Sequence, residues 1–319
     1  MTRGFVTIAT GRKRYYIIAA NLLASYRHFS ASPLPFAIIC DAENDYTKLF
    51  DDIVLLDNPH RSYLDKLVLP RLAPYDETIF IDADCLAYRD LNDYWNYFEQ
   101  AADFTAFGTT HPADFPYAWF KKNDVDEYAD RIEFVPDFIG GVYFIRKDAT
   151  LNAFSDTCTH ILENYHRYTF RQFSQPADEP IFALAMAVHG FKPVDKAQAP
   201  ICFFPHETSF TSDITTGQVR YTSKYESDCG ERRWAYMVHW GSGNTSKPPY
   251  ITEAARLKSA IRERGKLATT CGAMCACAPY YAKTGMKWVL SKLHLLDVAR
   301  RVKSSLASPH RDNSSSVSR

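Results

Sequence analysis

Short runs of consecutive apolar residues, rich in β-branched and aromatic side chains, alternate along the chain with longer stretches whose apolar positions recur at helical spacing. A strand buried on both faces reads as a continuous apolar run, and a helix lying on a sheet reads as a stripe of period 3.6. The pattern predicts strands at FVTIAT (5–10), FAIIC (36–40), DIVLL (52–56) and TIFIDAD (78–84). It predicts helices over Arg14 to Phe29 and over Tyr63 to Leu72, the second ending before Pro74. Further on, FIGGVYFIR (138–146) predicts a strand entered through a glycine pair, and Leu151 to Tyr165 a helix. Glu179 to His189 predicts a helix with Pro180 in its first turn, and AYMVHWG (235–241) a last strand ending at His239. This alternation predicts an α/β fold, Rossmann-like, with a mixed and mostly parallel sheet flanked by helices.

Between Gly108 and Pro136 the pattern weakens, and aromatics collect in loop-like sequence: Phe115, Tyr117, Trp119, Phe120 and Tyr128. They read equally as a hydrophobic lid on the core or as a wall for an acceptor. After Pro248-Pro249 the composition turns basic and helical, and RDNSSSVSR (311–319) has the makeup of a disordered tail. The expected organisation is a catalytic domain over 1–250, a basic helical extension over 251–306 and a disordered tail over 307–319. No internal repeat is visible.

Composition narrows the function. With 319 residues, 46% of them hydrophobic, the chain supports one large or two modest cored domains. Lys+Arg and Asp+Glu are both 37, which argues against a dedicated nucleic-acid binder. The balance hides a segregation: residues 251–319 hold 13 basic against 4 acidic side chains, leaving 24 against 33 for residues 1–250. No run approaches the roughly 18 apolar residues of a spanning helix, and MTRGFVTIAT lacks the apolar stretch of a secretory signal. The expectation is a cytoplasmic protein, or one peripheral on the cytosolic face of a membrane. Eight cysteines are too sparse for a disulfide scaffold in a chain this long, which predicts reduced thiols. The cluster CGAMCAC (271–277) lacks a C-x-x-C pair and a nearby His, so it argues against zinc; shielded small residues or a lipidated group explain it as well.

In open α/β sheets, ligands bind beyond the carboxyl ends of the strands. Two such points stand out, Thr10-Gly11 after the first strand and Asp82-Ala83-Asp84 after the fourth. Carboxylates two residues apart at the mouth of a core repel one another, and a divalent cation relieves them. The alternative, a pair capping a helix at Asp90, places the acids six residues too early. His239 closes another apolar strand, and imidazole with two carboxylates suits Mn²⁺ (or Mg²⁺) while leaving positions open for substrate oxygens. Alone, it would read as a hydrogen-bonded core histidine. Lys247, on a nearby Gly-containing loop, supplies a charge of the kind that meets a diphosphate.

These motifs, in this order, resemble the metal-dependent nucleotide-sugar glycosyltransferases of the GT-A fold, especially family 8, the group containing glycogenin and the bacterial lipopolysaccharide galactosyltransferases. The resemblance covers roughly residues 5–250. TIATG…YYIIAANLLASYR (7–27) is similar to the opening nucleotide-binding strand and helix. DKLVLPRLAPYDETIFIDADCLAYRDLNDYW (65–95) resembles the stretch from a nucleotide-contacting lysine into the D-x-D. FIGGVYFIR resembles F-N-[SA]-G-V, DEPIFALA (178–185) resembles D-Q-D-x-L-N, and HWGSGNTSKPP (239–249) resembles H-x-x-G-x-x-K-P-W.

The resemblance implies that Asp82, Asp84 and His239 ligate the metal and that Lys247 contacts the diphosphate. Ala9, Thr10, Tyr15, Lys66 and Ala83 become neighbours of the nucleotide, with Tyr15 near the base. Asp178 and Glu179 approach the donor sugar where the new bond forms. The implied donor is a nucleoside diphosphate sugar carrying uracil, and the implied reaction is hexosyl transfer to a hydroxyl with retention of configuration. The acceptor would be a glycan, a lipid-linked glycan or a protein, as in surface glycan or lipopolysaccharide synthesis. Departures are Ile139 at the Asn of F-N-[SA]-G, Glu179 at the glutamine of D-Q-D, Pro249 at the Trp, and a His239–Lys247 spacing two residues longer. Glu179 reads as a stabiliser or nucleophile for a cationic sugar, or as an acid favoured by a helix N-terminus. A sugar nucleotidyltransferase would want more glycine after the first strand than Gly11 alone, and a non-catalytic sugar-binding scaffold would not need all three metal ligands. In the C-terminal region, Met286, Val289, Leu290, Leu293 and Leu296 form one apolar arc. Trp288, Leu295, Val298 and Val302 form another, so the helix reads as packed on the domain or as attracted to anionic lipid.

Overall fold

The structure is a computed structural model that describes residues 1–116, 118–195, 201–204, 207–223, 232–262 and 266–292. In chain order, β1 is Arg3–Ala9, α1 Lys13–Phe29, β2 Phe36–Cys40, β3 Asp52–Leu55, α2 Leu69–Leu72, β4 Glu77–Ile81 and β5 Cys85–Ala87. Next come α3 (Tyr94–Phe98), β6 (Phe104–Pro112), β7 (Phe134–Arg146), α4 (Ala149–Glu163), α5 (Asp178–His189), β8 (Val194–Asp195) and β9 (Ile201–Phe203). A hairpin of β10 (Glu207–Asp213) and β11 (Gln218–Ser223) precedes β12 (Met237–His239), α6 (Pro248–Ile261) and α7 (Lys266–Lys292).

The fold is mixed α/β. A central sheet runs in the order β3-β2-β1-β4-β7-β6-β8. It is parallel from β3 through β4 and between β6 and β8; β7 pairs antiparallel with both β4 and β6. Both faces are covered, which is why the strands read as unbroken apolar runs. Along β4, Ile79 and Ile81 join the cluster under α1, while Phe80 between them joins the cluster under α4 and α5. That is the two-residue period of a strand with no wet face. A second sheet, β5-β12-β9, stands beyond the end of β4. No helix among the described residues is long and apolar enough to cross a membrane.

Several elements differ from the sequence pattern. The expected strand over 78–84 stops at Ile81, because Cys85 N donates to Asp82 O (3.1 Å) and closes a turn over both acids. The expected helix over Tyr63 to Leu72 is a 3₁₀ segment (Tyr63–Val68) followed by the single turn of α2. Pro70 has no N–H to give the Lys66 carbonyl, which Leu69 N takes instead in the tighter i→i+3 pattern. The weakly patterned stretch around 108–136 holds the ends of β6 and β7. Phe120 and Tyr128 are buried and Trp119 packs edge-on to Phe138 at 5.1 Å, while Tyr117 lies outside the described residues.

After β12 the chain turns into α6, whose Tyr250, Ala254 and Leu257 enter the core. Glu253, nearly fully buried, accepts from Tyr88 Oη (2.8 Å) and Ile214 N (2.7 Å). Helix α7 lies on α6, with Cys277 against Thr252 and Pro248. From Ala278 to Gly285 every residue of α7 is exposed except the half-buried Tyr280. The side chains of Met286, Trp288, Val289 and Leu290, and all of Leu293, Leu295, Leu296, Val298, Val302 and 307–319, lie outside the described residues.

Candidate active site

The site is built where β4 ends. Asp82 N donates to Gly141 O of β7 (3.0 Å), and Trp240 N donates to Asp84 O (3.1 Å), so the acidic turn is held from both sides. The antiparallel register of β12 on β5 sets His239 opposite Cys85 and so beside Asp84. His239 Nε2 lies 3.0 Å from Asp84 Oδ1 and 3.6 Å from Asp82 Oδ2. On the other side, Lys66 Nζ sits 2.9 Å from Asp82 Oδ1 and 3.2 Å from Asp178 Oδ2, and it donates to Gly140 O (3.0 Å). Helix α5 begins at Asp178 and Glu179; Tyr143 Oη donates to Asp178 (3.3 Å) and Gly140 N to Glu179 Oε1 (3.1 Å). A Cβ at 140 would stand 2.6 Å from Glu179 Oε1 and 2.8 Å from its Cγ, so a side chain there would displace Glu179.

Four carboxylates thus face one ammonium and one imidazole. Burial pushes Asp82 up, with Lys66 opposing, whereas His239 outweighs burial and holds Asp84 low. The acids also outweigh burial at His239, keeping its imidazole above the usual histidine range. Burial, then Asp178, pushes Glu179 up to about 7. Negative charge is in excess, and Asp84 Oδ1 is buried with no partner in hydrogen-bonding geometry. Two ligands about 2.1 Å from one octahedral ion stand roughly 3 Å apart, so the Asp84–His239 contact fits shared coordination of a hard divalent cation. Cys85 forms a tight trio with Asp84 and His239, all ligand atoms within 4.8 Å. Its thiol is pushed well up by burial, however, and a neutral thiol is a poor ligand for such an ion. Asp82 stands outside that trio, with its Oδ2 3.6 Å from His239 Nε2.

The acids open onto a cavity of about 490 Å³. Ala9, Thr10, Tyr15, Lys66, Asp82, Ala83, Asp84 and His239, which the sequence singles out, all line it, and so does Ser242. Asp178 and Glu179 are not among the lining residues and stand behind Lys66. Nor is Lys247 brought to the cavity: its ammonium donates to Asn244 Oδ1 (2.6 Å) on its own loop. The loop is tied to α1 by Arg14, whose Nη2 donates to Ser242 O (2.8 Å). Sequence reasoning missed Arg61, which lines the cavity, together with Asp41 and Asp65. Arg61 sits in a loop without periodicity, whereas Asp41 closes the apolar run FAIIC and Asp65 stands next to Lys66 in the motif, so both carried a signal.

No protein-family model matches the chain, and no curated protein matches it. Among solved structures it is similar to the apo form of the glycosyltransferase GlyE of Streptococcus pneumoniae TIGR4, at 13% identity over 62% of this chain and 46% of that one, with a TM-score of 0.40. It is also similar to apo mouse xyloside xylosyltransferase 1, at 9% identity over 76% of this chain and 99% of that one, with a TM-score of 0.43. The chain spans less than half the length of the GlyE chain.

Proposed function

We propose that this protein is a metal-dependent glycosyltransferase that moves a sugar from a nucleoside diphosphate sugar, UDP-linked, to a hydroxyl of a glycan acceptor. One observation carries the reading: Asp84 Oδ1, buried and 3.0 Å from His239 Nε2 outside hydrogen-bonding geometry, at the mouth of a cavity of nucleotide size. Asp82, Asp84 and His239 would hold Mn²⁺ or Mg²⁺, and such an ion supplies charge neutralisation to a leaving diphosphate. Tyr15 presents an aromatic face for a base, and Lys66 orders Asp82 and Asp178 on either side of itself. Lys247 would reach the diphosphate by exchanging Asn244 for a phosphate oxygen. Glu179, held by Gly140 N, stands next to Asp178 on the side assigned to the sugar, where it would stabilise positive charge at the anomeric carbon. A retained, α-linked product is part of the proposal.

Incubating the protein with UDP-sugars and Mn²⁺ tests the reading. Slow release of UDP supports a transferase, pyrophosphate chemistry would make it a nucleotidyltransferase, and no reaction with any sugar nucleotide would leave a scaffold. Near-normal turnover in Glu179→Gln would remove a nucleophilic role for that residue. The stretch 278–285 of α7, exposed except for Tyr280, followed by basic sequence, favours contact with an anionic membrane surface. Because α6 belongs to the core, the truncation that tests this ends after Cys277; equal sedimentation of both forms with anionic liposomes would exclude the contact.

A further inference from the structure

The loop between β3 and the 3₁₀ segment carries a construction that the proposed reaction does not yet use. Asn58 and Arg61 adopt left-handed backbone (φ 52° and 56°), two of the three non-glycine residues to do so among the described residues. Residues with side chains seldom hold this conformation unless the surroundings impose it, and such strain gathers at ligand sites. Here one buried acid imposes it. Asp65, 1% exposed, accepts from His60 N (2.6 Å), Arg61 N (3.1 Å) and Thr10 Oγ1 (2.6 Å), so the strained loop and the cavity wall hang on the same carboxylate.

The outcome is the placement of Arg61. Its stem lies over Gly11, with Cδ 3.2 Å from where a Cβ would stand. Its Nε donates to Asp41 Oδ2 (3.2 Å), which is itself fixed by Gly11 N (3.1 Å). Asp41 also accepts from Tyr16 Oη. The guanidinium therefore borders the cavity with its charge already compensated. Its Nε is taken by Asp41, and no other hydrogen bond among the described residues uses its Nη groups, which leaves them as donors for a single carbonyl oxygen at the cavity wall. Position agrees with this. Asp41 follows β2 and Asp82 follows β4, with β1 between them, a separation of about 10 Å at ordinary strand spacing. That is the reach from a diphosphate across a ribose to a base.

We infer that Arg61 is a specificity residue that donates to a carbonyl oxygen of the nucleobase, with Asp65 and Asp41 positioning it. The assignment rests on the nucleotide-sugar reading above and adds the residue that selects the base. The test is calorimetric titration of UDP and of inorganic pyrophosphate, both with Mn²⁺, into the full chain and into Arg61→Ala and Arg61→Lys. The Arg61 side chain is 67% exposed, so neither substitution disturbs the core. Arg61→Ala is expected to weaken UDP about tenfold, the scale of a hydrogen bond from a charged donor, while pyrophosphate binding stays unchanged. Arg61→Lys is expected not to restore UDP, since a single ammonium cannot both hold Asp41 and reach the base as Nε and Nη of arginine do. Unchanged UDP affinity in Arg61→Ala, or equal loss of UDP and pyrophosphate, would overturn the assignment while leaving the proposed function standing. A full chain that binds no UDP would overturn both.

Discussion

The two ends of β4 hold charge clusters of opposite design. At its start, Glu77 accepts from Arg3 Nε (2.6 Å) and Arg146 Nε (2.9 Å); burial works against its ionisation, but Arg146 and Arg3 outweigh it and hold the carboxyl low. Both oxygens are used, and with Asp103 3.7 Å from Arg146 two cations face two acids. Just past its end, four carboxylates share Lys66 and His239; Asp82 is pushed up, while Asp84 is held low by His239 at 3.0 Å although its Oδ1 has no partner in hydrogen-bonding geometry. The same strand thus carries one closed cluster and one left short of positive charge. A closed cluster joins elements of the fold. An open one costs stability and makes sense only if something else completes it.

The comparison can be broken most strongly at Asp84. Asp84→Asn is expected to lower Mn²⁺-dependent UDP release about a thousandfold, the upper range for removing one electrostatic contact to a transition state, without lowering the melting temperature. Glu77→Gln should do the reverse. It is expected to cost about 2–3 kcal/mol in urea unfolding, the low side for a broken buried pair because Arg3 is half exposed, with UDP release per folded molecule unchanged. Mn²⁺ at about 100 times its Kd should add about 2.7 kcal/mol of stability to the native chain and none to Asp84→Asn, read by thermal unfolding with EDTA as the reference. The smallest effect is on pH dependence. Glu179 ionises near 7 in the fold, against 4.5 ordinarily, so the native state binds more protons in that window. Its contribution to stability therefore falls as pH rises from about 4.5 to 7. Glu179→Gln should flatten that part of the stability–pH curve, and an unchanged slope would contradict the burial assigned to this carboxyl.

The sequence carried further for the Asp82–Asp84 end of the cavity than for the Arg61 end. Asp82, Asp84 and His239 each close an apolar run, and a run that stops in a polar residue marks the mouth of a core; the structure brings all three together. Lys66 was visible through its motif, but its partner Asp178 comes from α5, 112 positions further on in the chain, and no local pattern announces that pairing. The turn over 82–84 was read as strand because periodicity cannot show where a ladder ends. The 3₁₀ segment at 63–68 was read as α-helix because the effect of Pro70 is felt four residues upstream, at a carbonyl.

By itself, the sequence determined the alternation of buried strands and covering helices, the positions at which polar chemistry interrupts that core, and the basic character of the C-terminal region. These are one-dimensional properties, set by burial and by the side-chain period of each element. Tertiary structure alone decided the balance of charges, because that depends on which strand lies beside which. The β12–β5 register sets His239 against Asp84, the packing of α5 on β7 sets Glu179 against Gly140, and the β2-β1-β4 order separates Arg61 from the acids. Whether a carboxylate is closed or left open is a property of the space around it, and distant segments of the chain build that space.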